Sequence, residues 1–185
     1  VDDFYSSFEF PEGSSLTLNA IQNKSEWTNA THFLNFAGSA DALAQLRDLR
    51  SGDEYDTYVN NLQGLAKIVA MKQGQSLVRI PGENGTYSEQ MWSFFVENPG
   101  VFAEAFVELN KGFSNGNYIS LGMYTGGERN ETHYIYTTHS DAKNQFTFFP
   151  DNEKEQKAFS KFQSSVSPIS QFKGSIISTV LGTWN

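Results

Sequence analysis

A chain that repeats its own pattern is constrained to fold as similar modules before any local preference is weighed. Here Asn29-Ala30-Thr31-His32-Phe33-Leu34 returns as Asn130-Glu131-Thr132-His133-Tyr134-Ile135, at a spacing of 101. Leu46, Leu49, Asp53, Val59, Leu62 and Gly74 return as Phe146, Phe149, Glu153, Phe159, Phe162 and Gly174, at a spacing of 100. One residue therefore differs in a loop between the two blocks. The pattern predicts two modules, residues 1–82 and 83–185, each of roughly ninety residues.

The second module is the easier to read. Tyr87 to Val96 is aromatic and β-rich and predicts a strand. Asn98-Pro99-Gly100 breaks it and starts a helix, with Phe102, Phe106 and Leu109 at helical spacing. Gly112 and Ser114-Asn115-Gly116-Asn117 close that helix. Tyr118 to Tyr124 and Thr132 to Thr138 form a hairpin, and Asp141 to Phe149 holds a short helical turn. A second helix starts at Asp151-Asn152-Glu153 and ends at Pro168, and Gly174 to Leu181 is a closing strand. Strand, helix, strand, strand, helix, strand is the split βαβ order of a ferredoxin-like module.

The first module follows the same order from its second strand: Ser15 to Ile21, His32 to Phe36, helical sequence from Asp41 to Leu65, and Gln75 to Ile80. Val1 to Phe8 reads as the tail of a first helix, so this copy lacks its opening strand. A strand missing from a four-stranded sheet exposes an unpaired edge. Residues upstream of Val1, or a partner chain filling the gap, are the two expectations that follow.

The residues carrying this order resemble the antibiotic-biosynthesis-monooxygenase-like group, the dimeric α+β barrel superfamily. Phe94-Phe95-Val96-Glu97-Asn98-Pro99-Gly100-Val101-Phe102 matches its first strand running into a helix. Thr132 to Asp141 matches the third strand and its turn, and Gly174 to Trp184 the closing strand. The resemblance implies an α+β fold in which two tandem ferredoxin-like modules pair their antiparallel sheets as a pseudo-dimeric barrel. It also implies a spread of activities, among them cofactor-free monooxygenation, haem degradation and isomerisation, so the fold alone selects none. The haem-degrading branch carries an Asn in the first strand and a Trp ending the third. Met91-Trp92 and Thr138-His139 stand at those places here.

Composition excludes several classes. The net charge is −8, with 13 basic residues scattered among 21 acidic ones, so neither nucleic acid nor an anionic membrane is expected as partner. The 16 Phe, 8 Tyr and 3 Trp supply ample core material. The chain has no cysteine, which rules out disulfides and thiolate chemistry. Few basic residues, no cysteine and many Asn, Ser and Thr favour a periplasmic or extracellular location over a cytoplasmic one.

His32, His133 and His139 are the only histidines. By strand alternation His133, Ile135, Thr137 and His139 share one face, and Tyr134, Tyr136 and Thr138 the other. His133 and His139 stand about 20 Å apart at roughly 3.3 Å per strand residue, too far to share a metal. No metal site is therefore expected. His133 is the candidate proton acceptor, since a neutral imidazole suits deprotonation of a phenol or hydroquinone. Tyr134, Tyr136, Trp92, His32 and His139 are the candidate pocket residues, with Tyr118 and Tyr124 on neighbouring strands. The structural alternative is packing for the aromatics and a hairpin hydrogen bond for the two matched histidines.

Three functions stay open at this level. The first is binding or cofactor-independent, metal-free oxidation of a small hydrophobic, aromatic or quinone-like ligand by a monomeric pseudo-dimer or homo-oligomer. The second is a non-enzymatic exported binding or assembly module with a filled barrel. The third and weakest is haem binding through one histidine.

Overall fold

The computed structural model describes every residue except 25–27, 84 and 114–115. Its elements run α1 (Asp2–Tyr5), β1 (Ser15–Lys24), β2 (His32–Ala37), α2 (Ala40–Leu49), α3 (Asp53–Leu62), β3 (Gln73–Ile80) and β4 (Ser88–Val96). They continue with α4 (Pro99–Gly112), β5 (Ile119–Gly126), β6 (His133–His139), α5 (Ala142–Phe146), α6 (Glu153–Val166) and β7 (Ser170–Trp184). Neighbouring strands follow the order β2-β1-β7-β4-β6-β5-β3. The class is α+β, as the strand and helix order predicted.

The helices start where the sequence supplies caps. The Asn98 side chain accepts from the Val101 amide, with Pro99 in the first turn, and Asn152 accepts from the Glu155 amide at 3.0 Å. The helical run expected over Asp41 to Leu65 divides into α2 and α3 instead. Gly52, at φ 83°, adopts a left-handed backbone and restarts the chain just ahead of Asp53. Part of the polar run expected to close α4, residues 114–115, lies outside the described residues.

The chain packs as two compact units: Val1–Ile21, Ala30–Val69 and Val180–Asn185 form one, and Gln22–Asn29 with Ala70–Thr179 the other. The strand expected to close the first module, β3, pairs antiparallel with β5, from Gln73 opposite Gly126 to Ile80 opposite Ile119. Conversely, the last residues of β7 belong to the first unit, in which β1 pairs with β2 from Ser15–Ala37 to Ala20–His32. Local patterning located these closing strands but could not choose their neighbours, because any strand edge offers the same backbone groups.

In the first unit the core gathers on Tyr5, Leu16, Ala42 and Leu46, all almost wholly buried. Phe4 stacks on Tyr58 at 4.4 Å between ring centres, and the Arg50 guanidinium lies over the Phe36 ring. Burial and the neighbouring Tyr58 push the Tyr5 phenol up to about 12.

In the second unit α4 and α6 cover one face of the sheet. Phe102 and Phe106 of α4, Phe162 and Val166 of α6, and Val96, Leu121 and Ile135 of the strands make its core. Each phenylalanine that is 0% exposed, Phe102 and Phe106, contributes about 1.5–3 kcal/mol by burial. The helices thus occupy one side of the sheet and leave the other to the residues that alternate with these.

Candidate functional site

Register fixes which side chains share the helix-free face of the second unit. On β4 and β6, Glu89 stands opposite Thr138, Met91 opposite Tyr136, and Ser93 opposite Tyr134. On β5, Ser120 stands opposite Tyr136 and Gly122 opposite Tyr134, while on β7 Ser178 and Ile176 flank Glu89 and Met91. Cross-strand partners point the same way, so these residues line one face. Tyr118 and Tyr124 extend it at the two ends of β5: the Tyr118 carbonyl accepts from the Thr138 amide, and Tyr124 pairs with Gly74.

Two glycines make a bed for Tyr134. A Cβ on Gly122 would fall 2.1 Å from Tyr134 Cζ, and one on Gly74 would fall 2.9 Å from Tyr134 Cε1. The ring therefore lies across β5 and β3, where side chains at either position would lift it off the sheet. Its hydroxyl reaches Ser76, and burial holds its phenol above the ordinary value. The Tyr124 ring meets Tyr134 at 5.1 Å, with its hydroxyl 3.0 Å from Ser93 Oγ and 3.5 Å from Met91 Sδ. The Lys72 ammonium sits 5.2 Å from the centre of the Tyr124 ring and pairs with Glu131.

At the other end of the face stands Glu89, only 4% exposed. The Tyr136 hydroxyl donates to its carboxylate. Burial raises the carboxyl above its ordinary value, and burial together with the Glu89 charge raises the Tyr136 phenol. Tyr124, Tyr134 and Tyr136 are thus held as neutral phenols; Tyr136 gives its proton to Glu89 and Tyr124 donates to Met91 Sδ, which leaves Tyr134 able to donate to an oxygen of a ligand. Glu89 Oε2 and Thr138 Oγ1 are both buried without a hydrogen-bond partner.

The expected site residues divide between two faces and two units. Tyr134 and Tyr136 meet on the face just described, with Tyr118 and Tyr124. His133 lies on the opposite face, 4% exposed, its ring 6.2 Å from Phe102 of α4 and its Nδ1 2.9 Å from Thr132 Oγ1. Burial depresses its basicity. Trp92 and His139 share that helix-covered side: Trp92 stacks on Phe148 at 6.0 Å, and His139 meets Phe148 edge-on at 5.0 Å. His139 also bonds Asn144 of α5, and Ser88 beside it bonds Gln145. His32 is exposed in the first unit and bonds Thr31 Oγ1 at 3.1 Å, the local bond that His133 makes with Thr132. Among the described residues no group of three or more His, Asp or Glu side chains is placed to hold a metal ion. No helix of the described residues is long and apolar enough to cross a membrane.

Sequence reasoning missed Glu89, Ser93 and the two glycines. The signal for Glu89 was available: a carboxylate within a strand of aromatic and apolar residues, two places from Met91 on the same face. Two open clefts lie elsewhere. One of about 1020 Å³ in the first unit is lined by Phe8, Phe10, Pro11 and Leu49 among acidic residues. One of about 440 Å³ runs between α4 and α6.

No family model matches the sequence, and no curated protein matches it. Solved structures do. An anthrone oxidase-like protein matches with a TM-score of 0.52 at 12% identity, over 98% of this chain and 82% of its own. A monooxygenase candidate from Fusobacterium nucleatum matches with a TM-score of 0.59 at 10% identity, over 100% of this chain and 84% of its own. Another from Lactobacillus acidophilus matches with a TM-score of 0.56 at 10% identity, over 100% and 85%. At such identities the likeness speaks for the fold and leaves the chemistry to the side chains. The chain shares the α+β fold of these structures, built on antiparallel strands with helices packed on them.

Proposed function

We propose that the tyrosine-lined face of the second unit binds a small, planar, oxygen-bearing aromatic molecule and promotes its oxidation by dioxygen. The observation that carries this is the bed at Gly122 and Gly74, which holds Tyr134 flat and groups its phenol with Tyr118, Tyr124 and Tyr136. A flat tyrosine ring among a few convergent polar groups suits an aromatic ligand carrying a carbonyl or hydroxyl. The neutral Tyr134 phenol would donate to the ligand oxygen, where negative charge collects once an adjacent acidic C–H or O–H is deprotonated.

An anthrone is a suitable trial substrate: its ring methylene is acidic, and the fold neighbours include an anthrone oxidase-like protein. In its oxidation the methylene loses two hydrogens and gains one oxygen atom. Dioxygen supplies that atom, and its other atom leaves as water with the two hydrogens. The test is dioxygen uptake and quinone formation with anthrone, measured against the protein-free rate. The expected result is a rate above that background, reduced by roughly tenfold or more in Tyr134→Leu, a loss in the range of one oriented hydrogen bond. Turnover equal to background, together with no binding of anthraquinone-2-sulfonate, would refute it.

A further inference from the structure

We propose that Glu89, and not a histidine, is the proton acceptor of this face, an inference that rests on the aromatic-ligand reading above. Glu89 is brought to the tyrosines by register: it is two residues along β4 from Met91, which pairs with Tyr136, and it stands opposite Thr138 on β6 and Ser178 on β7. The surrounding side chains treat it as an acceptor. The Tyr136 hydroxyl donates to the carboxylate, which leaves Oε2 buried and unsatisfied, and Oγ1 of Thr138 does not partner it.

An ionised carboxylate accepts and cannot donate, so whatever completes Oε2 must bring a proton. Leaving such an atom buried and unpaired costs on the order of 1–3 kcal/mol or more, so a purely structural role would be better served by an apolar side chain. Among the described residues no ion pair offsets the charge, and the titratable group that bears on Glu89 is Tyr136. An acidic C–H or O–H of an aromatic ligand, its oxygen held by the Tyr134 hydroxyl, supplies the missing donor. The imidazoles of His133 and His139 cannot take this role on the same ligand, because they stand on the side of the sheet that α4 and α5 cover.

The step balances with dioxygen as co-reactant. Oε2 takes one proton from the acidic carbon, and the electron pair of that C–H bond passes into the ring system and its oxygen. The carbanion then forms a C–O bond to dioxygen, giving a peroxide anion at the same carbon, which the carboxylic acid of Glu89 reprotonates. The remaining C–H breaks, its electrons form the new C=O, the O–O bond breaks, and hydroxide leaves with that second proton as water. Glu89 ends ionised, as it began.

The experiment compares wild type, Glu89→Gln and Glu89→Asp. Anthraquinone-2-sulfonate binding is read by quenching of intrinsic fluorescence, and anthrone oxidation by dioxygen uptake across pH. Glu89→Gln should bind the probe within about threefold of wild type while kcat falls by roughly a hundredfold, the scale of a lost general base. The rise of wild-type rate with pH should vanish with it, and Glu89→Asp should restore part of the rate. Turnover by Glu89→Gln at the wild-type rate would overturn the assignment of Glu89 and leave the ligand reading standing. Parallel loss of probe binding and turnover would also overturn it, making Glu89 a binding group. A wild-type protein that neither binds the probe nor oxidises anthrone would overturn the ligand reading, and this assignment with it.

Discussion

Replacing Gly122 with alanine should dislodge Tyr134, and the cost can be worked from the packing. The new methyl would lie 2.1 Å from Cζ, 2.3 Å from the hydroxyl oxygen and 2.6 Å from Cε1, against 3.4–4 Å for ordinary contact. The ring must therefore move by more than an ångström or leave the face. Overpacking of this kind costs about 1–3 kcal/mol, and the lost hydrogen bond to Ser76 adds roughly 0.5–1.5. Alanine recovers about 0.5–1 kcal/mol over glycine within a strand. The net expectation is a loss of about 2 kcal/mol, read in urea as a lower midpoint at unchanged slope. A double-mutant cycle isolates the cause. In a Tyr134→Ala background Gly122→Ala should be neutral or slightly stabilising. A loss below about 0.5 kcal/mol in the wild type, or an equal loss in both backgrounds, would refute the bed.

Three further outcomes follow from burial. Glu89 has its folded-state value raised above the ordinary 4.5, so stability is greatest below that value and falls as pH rises through the raised one. Glu89→Gln should therefore unfold at higher temperature than wild type at pH 7, a gain that disappears on acidification below the ordinary value; thermal scans across pH check it. His133 and His139 are both depressed from 6.5 by burial, so their contribution is present above 6.5 and lost as pH falls through their folded-state values. Their imidazole NMR resonances should titrate below the ordinary value, whereas titration at or above it would contradict their placement under α4 and α5. Phe102→Ala empties a site that is 0% exposed and should cost about 3–5 kcal/mol in urea unfolding, a loss under 1 kcal/mol being incompatible with the core described.

Much of the fold was legible because local signals agreed. The Asn98-Pro99 and Asn152 caps placed α4 and α6, and strand alternation separated Tyr134 and Tyr136 from His133 and His139. What the sequence left open was long-range. The pairing of β3 with β5 depends on which edge is free when the chain collapses, and Gly52 dividing α2 from α3 is one backbone angle in an otherwise helical pattern. The site was half legible. The tyrosines announced themselves by type and spacing, while Gly122 matters only through the ring that lies on it, and Glu89 only through the partners it lacks. The histidines drew attention by rarity, and their local bonds to Thr31 and Thr132 give their recurrence a structural role.

The most direct measurement is amide chemical-shift mapping of the full chain titrated with anthraquinone-2-sulfonate. The account predicts saturable shifts concentrated on β4, β5 and β6 around Glu89, Ser93, Ser120, Tyr134 and Tyr136, and their loss in Gly122→Ala. Shifts confined to the open cleft near Phe8 and Leu49, to the groove between α4 and α6, or absent altogether, would contradict it.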